Sequence, residues 1–309
     1  MSQESFLHCG IPTKQSKLSP QRKATLVSSC TAFVLICVKF IAGILSGSVA
    51  ILASAIDSLL DLSASLFNLY AVTKAEQPAD LEFNYGRGKT ESLAAVIEGS
   101  VILVSGIFIV YQSVKKFFTD NAITQLDFSL YVMVCSLIVT TLLVLYLNRI
   151  AKISNNLVIK ADALHYKTDI LSNGVVLVAL VLVKITGFTM IDAIFGIGIG
   201  IYVAYSAFGL LKEGVLVLLD RALDEEKLQK VREVLESNVR IASYHDLKTR
   251  QSGDTNFVEV HLVFNDTILL KDAHDVADSI ECKIQSLEGK WIVITHLDPY
   301  DDEAHICSI

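Results

Sequence analysis

The stretch Val49–Val72, VAILASAIDSLLDLSASLFNLYAV, decides how this chain is read. It has the length and apolar content of a lipid-spanning helix, which takes about 20 residues. Yet it holds two aspartates, Asp57 and Asp61, four positions apart. A second stretch repeats the device: His165-Tyr-Lys-Thr-Asp169 lies at the start of the apolar run Ala163–Val183. An ionisable side chain inside a bilayer costs about 2.5–3.5 kcal/mol on insertion scales, so it needs a compensating partner or a function. Residues four apart lie one above the other on a helix, so each pair projects from one face. Three carboxylates and one imidazole make a tetrahedral set suited to a divalent cation such as zinc.

The composition agrees with a membrane protein. Hydrophobic residues are 52% of the 309 and charged residues only 19%, which excludes an ordinary soluble domain. Charge is unevenly placed: from Arg221 onward there are 18 acids and 10 bases, net -8, while the first 220 residues hold 15 acids and 16 bases, net +1. A near-neutral membrane domain is therefore followed by an acidic soluble one, a balance that argues against nucleic acid and suits cation ligands. The cysteines Cys9, Cys30, Cys37, Cys135, Cys282 and Cys307 are scattered without a CxxC, so reduced thiols are expected rather than a disulfide framework.

Six runs are long enough to cross a hydrocarbon core: Ala24–Leu45, Val49–Val72, Ser92–Val114, Phe128–Leu147, Ala163–Val183 and Met190–Leu211. Basic residues in short connections set their direction. With the N-terminus inside, Lys14, Lys17, Arg22, Lys23, Lys74, Arg87, Lys89, Arg149, Lys152 and Lys160 are cytoplasmic, against only Lys115, Lys116 and Lys184 outside. Both termini are thus expected in the cytoplasm. No cleavage-like segment precedes Ala24, so the first helix is expected to stay. The expected organisation is a cytoplasmic segment 1–23, a six-helix membrane domain 24–220, a soluble domain 221–300 and a tail 301–309.

In the soluble part, Asp224–Ser237 has an amphipathic stripe of Leu228, Val231, Val234 and Leu235. Alternating stretches at Tyr244–Gln251 and Phe257–Phe264 flank a Ser252-Gly253-Asp254 turn signal. A helix over Asp272–Leu287, closed by Gly289, and a strand over Trp291–Thr295 complete an αββαβ order. The expected fold class is a six-helix all-α membrane domain with a C-terminal α+β module, ferredoxin-like or metallochaperone-like.

The second and fifth helices run in opposite directions across the membrane. Packed together, they can bring Asp57 level with Asp169 and Asp61 level with His165. With DSLLD, YGRGKTESLAA, HYKTD, LLDRAL and HDLKTRQSG…VEVHL…AHDVAD…ITHLDP, the chain resembles the cation diffusion facilitator family, in its bacterial zinc and ferrous-iron efflux branch. The resemblance implies a homodimer in the bacterial inner membrane, and one metal per protomer at Asp57, Asp61, His165 and Asp169. It also implies export from the cytoplasm by alternating access in exchange for protons. Protons and metal compete for the same lone pairs, which gives that exchange a physical basis.

The resemblance further implies a binuclear cytoplasmic site at a dimer interface, built from His245, His261, His274, His296 and Asp298. His296 and Asp298 are two apart in an extended segment and share a face. A third family site, in the loop after the second helix, uses an aspartate and two histidines. Here Asp80 keeps its position but Phe83 and Arg87 replace the imidazoles, so this site is expected to be absent or very weak. Lys89 and Asp220 correspond to a charge interlock between the two domains. Glu98 and Lys39 are open to a role on a water path, as a pair, or in snorkelling. His8 with Cys9, and His305 with Cys307, are candidate auxiliary ligands. Asp192 reads as a helix-terminal residue.

The expected function is proton-coupled export of zinc, with cadmium as a second substrate and no organic cofactor. Ferrous iron is the near alternative, since imidazole and carboxylate accept it. A metal sensor, or an intramembrane aspartyl hydrolase, are alternatives of other classes. The hydrolase is disfavoured because neither Asp57 nor Asp169 sits in a YD or GxGD motif.

Overall fold

A computed structural model describes residues 18–46, 49–117, 127–186 and 190–300. It divides into two compact units, one comprising Leu18–Leu218 and the other beginning at Leu219.

The first unit holds six long helices: α1 (Pro20–Ser46), α2 (Val49–Ala75), α3 (Lys89–Phe117), α4 (Asp127–Ser154), α5 (Leu157–Thr186) and α6 (Met190–Leu218). Among the described residues, stretches of α1, α3, α4 and α6 meet the length and hydropathy of a membrane span. The other two, α2 and α5, are 27 and 30 residues long and carry the acidic pairs.

Helix ends follow local chemistry. Ser19 accepts the Arg22 N–H at 3.1 Å with Pro20 as first helical residue, so α1 starts one turn ahead of its apolar run. Asn156 Oδ1 accepts the N–H groups of Val158 and Ile159, and this cap starts α5 at Leu157 rather than Ala163. The earlier start puts Lys160 and Asp162 inside the helix.

Packing in this unit relies on small residues where helices touch. A Cβ added at Gly106 of α3 would stand 2.9 Å from the Ala204 nitrogen of α6, and one at Gly200 would stand 2.9 Å from the Gly106 carbonyl. The two backbones approach too closely there for any larger residue, as expected where lipid supplies no hydrophobic drive for helix association.

The second unit comprises α7 (Glu225–Glu236), β1 (Ser243–Ser252), β2 (Thr255–Phe264), α8 (Leu270–Gln285) and β3 (Lys290–Pro299). Its sheet has the order β1-β2-β3, with β1 antiparallel and β3 parallel to the central β2. Gly253, at φ +59°, makes the β1–β2 turn. The turn into β3 uses Gly289 at φ +106°, three residues beyond the α8 cap at Ser286. Val231 and Leu235 of α7, with Val276, Ile280 and Ile284 of α8, bury against Val258, Val260 and Leu262 of β2. β3 runs on to Pro299, so His296 and Asp298 lie within a paired strand.

Candidate metal centre

Asp61 of α2 and His165 and Asp169 of α5 converge. His165 Nε2 lies 3.1 Å from Asp61 Oδ1 and 3.9 Å from Asp169 Oδ2. One ligand atom from each of the three falls within 4.8 Å of the others. Donors bound at about 2.1 Å around a tetrahedral ion stand about 3.4 Å apart, so this spacing suits one shared cation. The three side chains are 21–35% exposed, and Asp61 and Asp169 line a cavity of about 260 Å³ with Lys39, Tyr166 and Asn173. The Asp57 side chain lies outside the described residues; its backbone is one turn before Asp61 on α2.

Hydroxyls link α2 with α5 and α1 beside this group. Ser65 of α2 bonds Tyr166 OH of α5 at 2.8 Å and Ser28 of α1 at 2.9 Å. Tyr166, next to His165, is wholly buried, and its ring meets the imidazole edge-on at 5.6 Å. A buried network of this kind fixes where His165 points. Lys39 Nζ donates to Ser58 Oγ at 2.7 Å, while Glu98 meets Asn68. Sequence reasoning passed over Asn68, which meets Glu98; the available signal was its place seven residues after Asp61, on the same helix face.

The second constellation is on the sheet. His245 pairs with His261, and His261 with His296, so one cross-strand row carries three imidazoles. Asp298, two residues beyond His296 and on the same face, reaches all three. Its Oδ2 takes His261 Nδ1 at 2.8 Å and His245 Nε2 at 3.1 Å, while Oδ1 is 3.1 Å from His296 Nε2. Asp298 is buried and the histidines are more open. Ligand atoms of His245, His261 and Asp298 fall within 4.8 Å of one another, close enough to share a cation. His274 is apart from this group, on α8, with Nε2 3.6 Å from Asp278.

At the loop, Asp80 is already occupied. Arg87 donates to Oδ2 at 2.6 Å, and the Phe83 and Glu82 N–H groups donate to Oδ1. The guanidinium also stacks over the Phe83 ring at 4.1 Å. The Phe83 N–H, with the Arg87 cation, holds the Asp80 carboxyl below its ordinary pKa. The contact therefore persists to acid pH and is lost only as pH falls through that lowered value.

Of the remaining candidates, Lys89 Nζ donates to the Leu218 carbonyl at 3.3 Å, and Asp220 lies 3.5 Å from Arg250. Among the described residues, Cys30, Cys37, Cys135 and Cys282 form no disulfide. His8, Cys9, His305 and Cys307 lie outside the described residues, as does the Asp192 side chain.

A family model described as the cation efflux transmembrane domain matches residues 25–219, and one for the cytoplasmic domain of cation efflux proteins matches residues 223–300. The chain belongs to the cation efflux family. The cation-efflux pump FieF of Salmonella choleraesuis (strain SC-B67) is 38% identical over 278 residues, covering 90% of this chain and 92% of that protein. FieF of Escherichia coli (strain K12 / DH10B) is 38% identical over 277 residues, with the same coverage. A solved chain named for the zinc transporter CzrB (Zn form) is 28% identical over 27% of this chain and 96% of its own, at a TM-score of 0.26. Family membership bears out the resemblance read from the motifs. It makes the chain a transporter, and the aspartyl hydrolase alternative falls with it.

Proposed function

We propose that this chain exports divalent metal from the cytoplasm, zinc foremost and cadmium with it, in exchange for protons. The observation that carries the reading is the convergence of Asp61, His165 and Asp169 between two long helices of a cation efflux domain. With Asp57 one turn away on α2, the set becomes three carboxylates and an imidazole, the mix of hard and borderline donors that suits zinc. All six helices of the first unit span the bacterial inner membrane, with both termini in the cytoplasm.

The exchange follows from the ligands. Each donor must give up a proton before it holds metal, so an ion arriving from the cytoplasm displaces protons and protons arriving from outside displace the ion. Alternating access of the site to the two sides turns that competition into counterflow. The chain works as a homodimer, a reading supported by the match of its soluble part to the family's cytoplasmic domain. In that part His245, His261, His296 and Asp298 hold metal in a structural or regulatory role, with His274 as an outlying ligand.

The test is flux in sealed liposomes holding the purified chain, assayed with zinc, cadmium, iron and manganese under an imposed pH gradient. Zinc and cadmium movement driven by the gradient is expected, and its loss in Asp61→Ala. Zinc movement indifferent to the gradient would refute proton exchange, and preferential iron movement would favour the ferrous-iron reading.

A further inference from the structure

Two helical turns from the Asp61–His165–Asp169 group, the same helices bury a second set of oxygens. Asn68 follows Asp61 by seven residues on α2, and Asp162 precedes Asp169 by seven on α5. Asp61 of α2 meets His165 of α5, while Asn68, seven residues later on α2, meets Asp162, three residues earlier on α5, so the two helices run antiparallel. Seven residues rise about 10 Å, so both displacements lead to one level, on the faces that carry the first group. Glu98 of α3 completes the set there.

Asn68 Nδ2 donates to Glu98 Oε2 at 3.0 Å and to Asp162 Oδ1 at 3.4 Å. Asn68 and Asp162 have no exposure, and Glu98 has 6%. Their second oxygens, Asn68 Oδ1, Glu98 Oε1 and Asp162 Oδ2, are all buried without a hydrogen-bond partner. Among the described residues, no lysine or arginine pairs with either carboxylate; Lys160, two residues before Asp162, is spent on Glu213 at 2.6 Å. The nearby imidazole of His165 is engaged by Asp61.

Two adjacent buried carboxylates with orphaned oxygens are a costly arrangement. One amide bridging them satisfies half of their oxygens and none of their charge. A divalent cation satisfies both demands. The Asn68 amide can turn its carbonyl inward, since the two orientations are nearly isosteric.

We propose that Asn68, Glu98 and Asp162 form a second cation site in the membrane unit, composed only of oxygen and selective for a hard divalent ion of the manganese class. Oxygen-only ligation favours such ions, whereas the neighbouring imidazole-containing group favours zinc. The binding site stands on this geometry. Its use as a staging point between the cytoplasm and the Asp61–His165–Asp169 group rests on the export reading above.

The test is an equilibrium one, independent of flux. Full-length protein in detergent is loaded with zinc, dialysed until only tightly held zinc remains, and titrated with manganese followed by electron paramagnetic resonance. One further manganese per protomer is expected. Glu98→Gln and Asp162→Asn should each weaken it more than about tenfold, the least expected for a ligand when outer-shell partners alone cost that much. Their zinc content should be unchanged. The proposal is overturned if zinc-loaded protein takes up no manganese, or if both variants retain wild-type affinity. Proton release without ion uptake would equally overturn it, showing a proton-holding pair instead. Should both variants fail to fold, an anomalous-difference map of the manganese-soaked wild-type protein decides: a peak between Asn68, Glu98 and Asp162 supports the site, and a peak elsewhere rejects it.

Discussion

Replacing Asp298 by alanine should uncouple the soluble unit from metal while leaving its fold intact. The carboxylate contacts His245, His261 and His296 together, at 2.8–3.1 Å. Opposite unit charges about 4 Å apart are worth about 4 kcal/mol at an effective dielectric of 20. The half-open histidines let water discount that value, so a loss near 3 kcal/mol, or about a hundredfold in affinity, is the expectation. At zinc 100 times the native dissociation constant, binding stabilises the fold by about 2.7 kcal/mol; after hundredfold weakening, the same zinc supplies about 0.4 kcal/mol. For a unit of this size each kcal/mol moves the midpoint by about 4–8 °C, so a zinc-induced rise of at least 10 °C should shrink to a few degrees. The assay is thermal unfolding of the soluble unit's signal in full-length protein, with chelator and with zinc. The metal-free midpoint should change little, since the core of Val258, Val260, Ile280 and Ile284 is untouched. A full zinc-induced rise in Asp298→Ala would refute Asp298 as a ligand.

Other perturbations separate the remaining sites. Asp57→Ala and Asp169→Ala should each abolish zinc flux in liposomes with the dimer still eluting normally, and undiminished flux in either would remove that residue from the ligand set. His165→Asp should keep a bound metal but shift preference from zinc towards manganese, measured by competitive flux. Asp80→Ala should change neither metal stoichiometry nor affinity. Phe83→His with Arg87→His should add one metal per protomer, with affinity that falls as pH drops through the imidazole range near 6.5; a metal found at Asp80 in the native chain would contradict this. Gly200→Val should lower the midpoint of the membrane unit in detergent by the equivalent of about 1–3 kcal/mol, because even a Cβ there would stand 2.6 Å from Val110 Cγ2. An unaltered midpoint would mean the α3–α6 approach is looser than described.

What was legible in the chain, and what was not, follows from the range of the forces involved. Helical periodicity is local, so the long helices and the αββαβ order could be read from spacing alone. The convergence of Asp61 with His165 and Asp169 was also accessible, because a four-residue repeat on two apolar helices leaves few ways to hide the charges. The loop reading rested on missing imidazoles; that Arg87 pairs with Asp80 was not part of it, because a salt bridge seven residues apart depends on how the loop turns. The failures were of two kinds. Element ends depend on single side chains, so Asn156 capping moved the start of α5 by six residues, and with it Asp162 from a connection into a helix. Long-range partners leave no local trace at all. Glu98 was visible as an oddity in an apolar run, but that it would meet Asn68 and Asp162 depends on three helices packing in register. An asparagine on an apolar helix reads as packing glue. Only its buried carbonyl oxygen, left without a hydrogen-bond partner while the amide nitrogen meets two carboxylates, turns it into a question about binding.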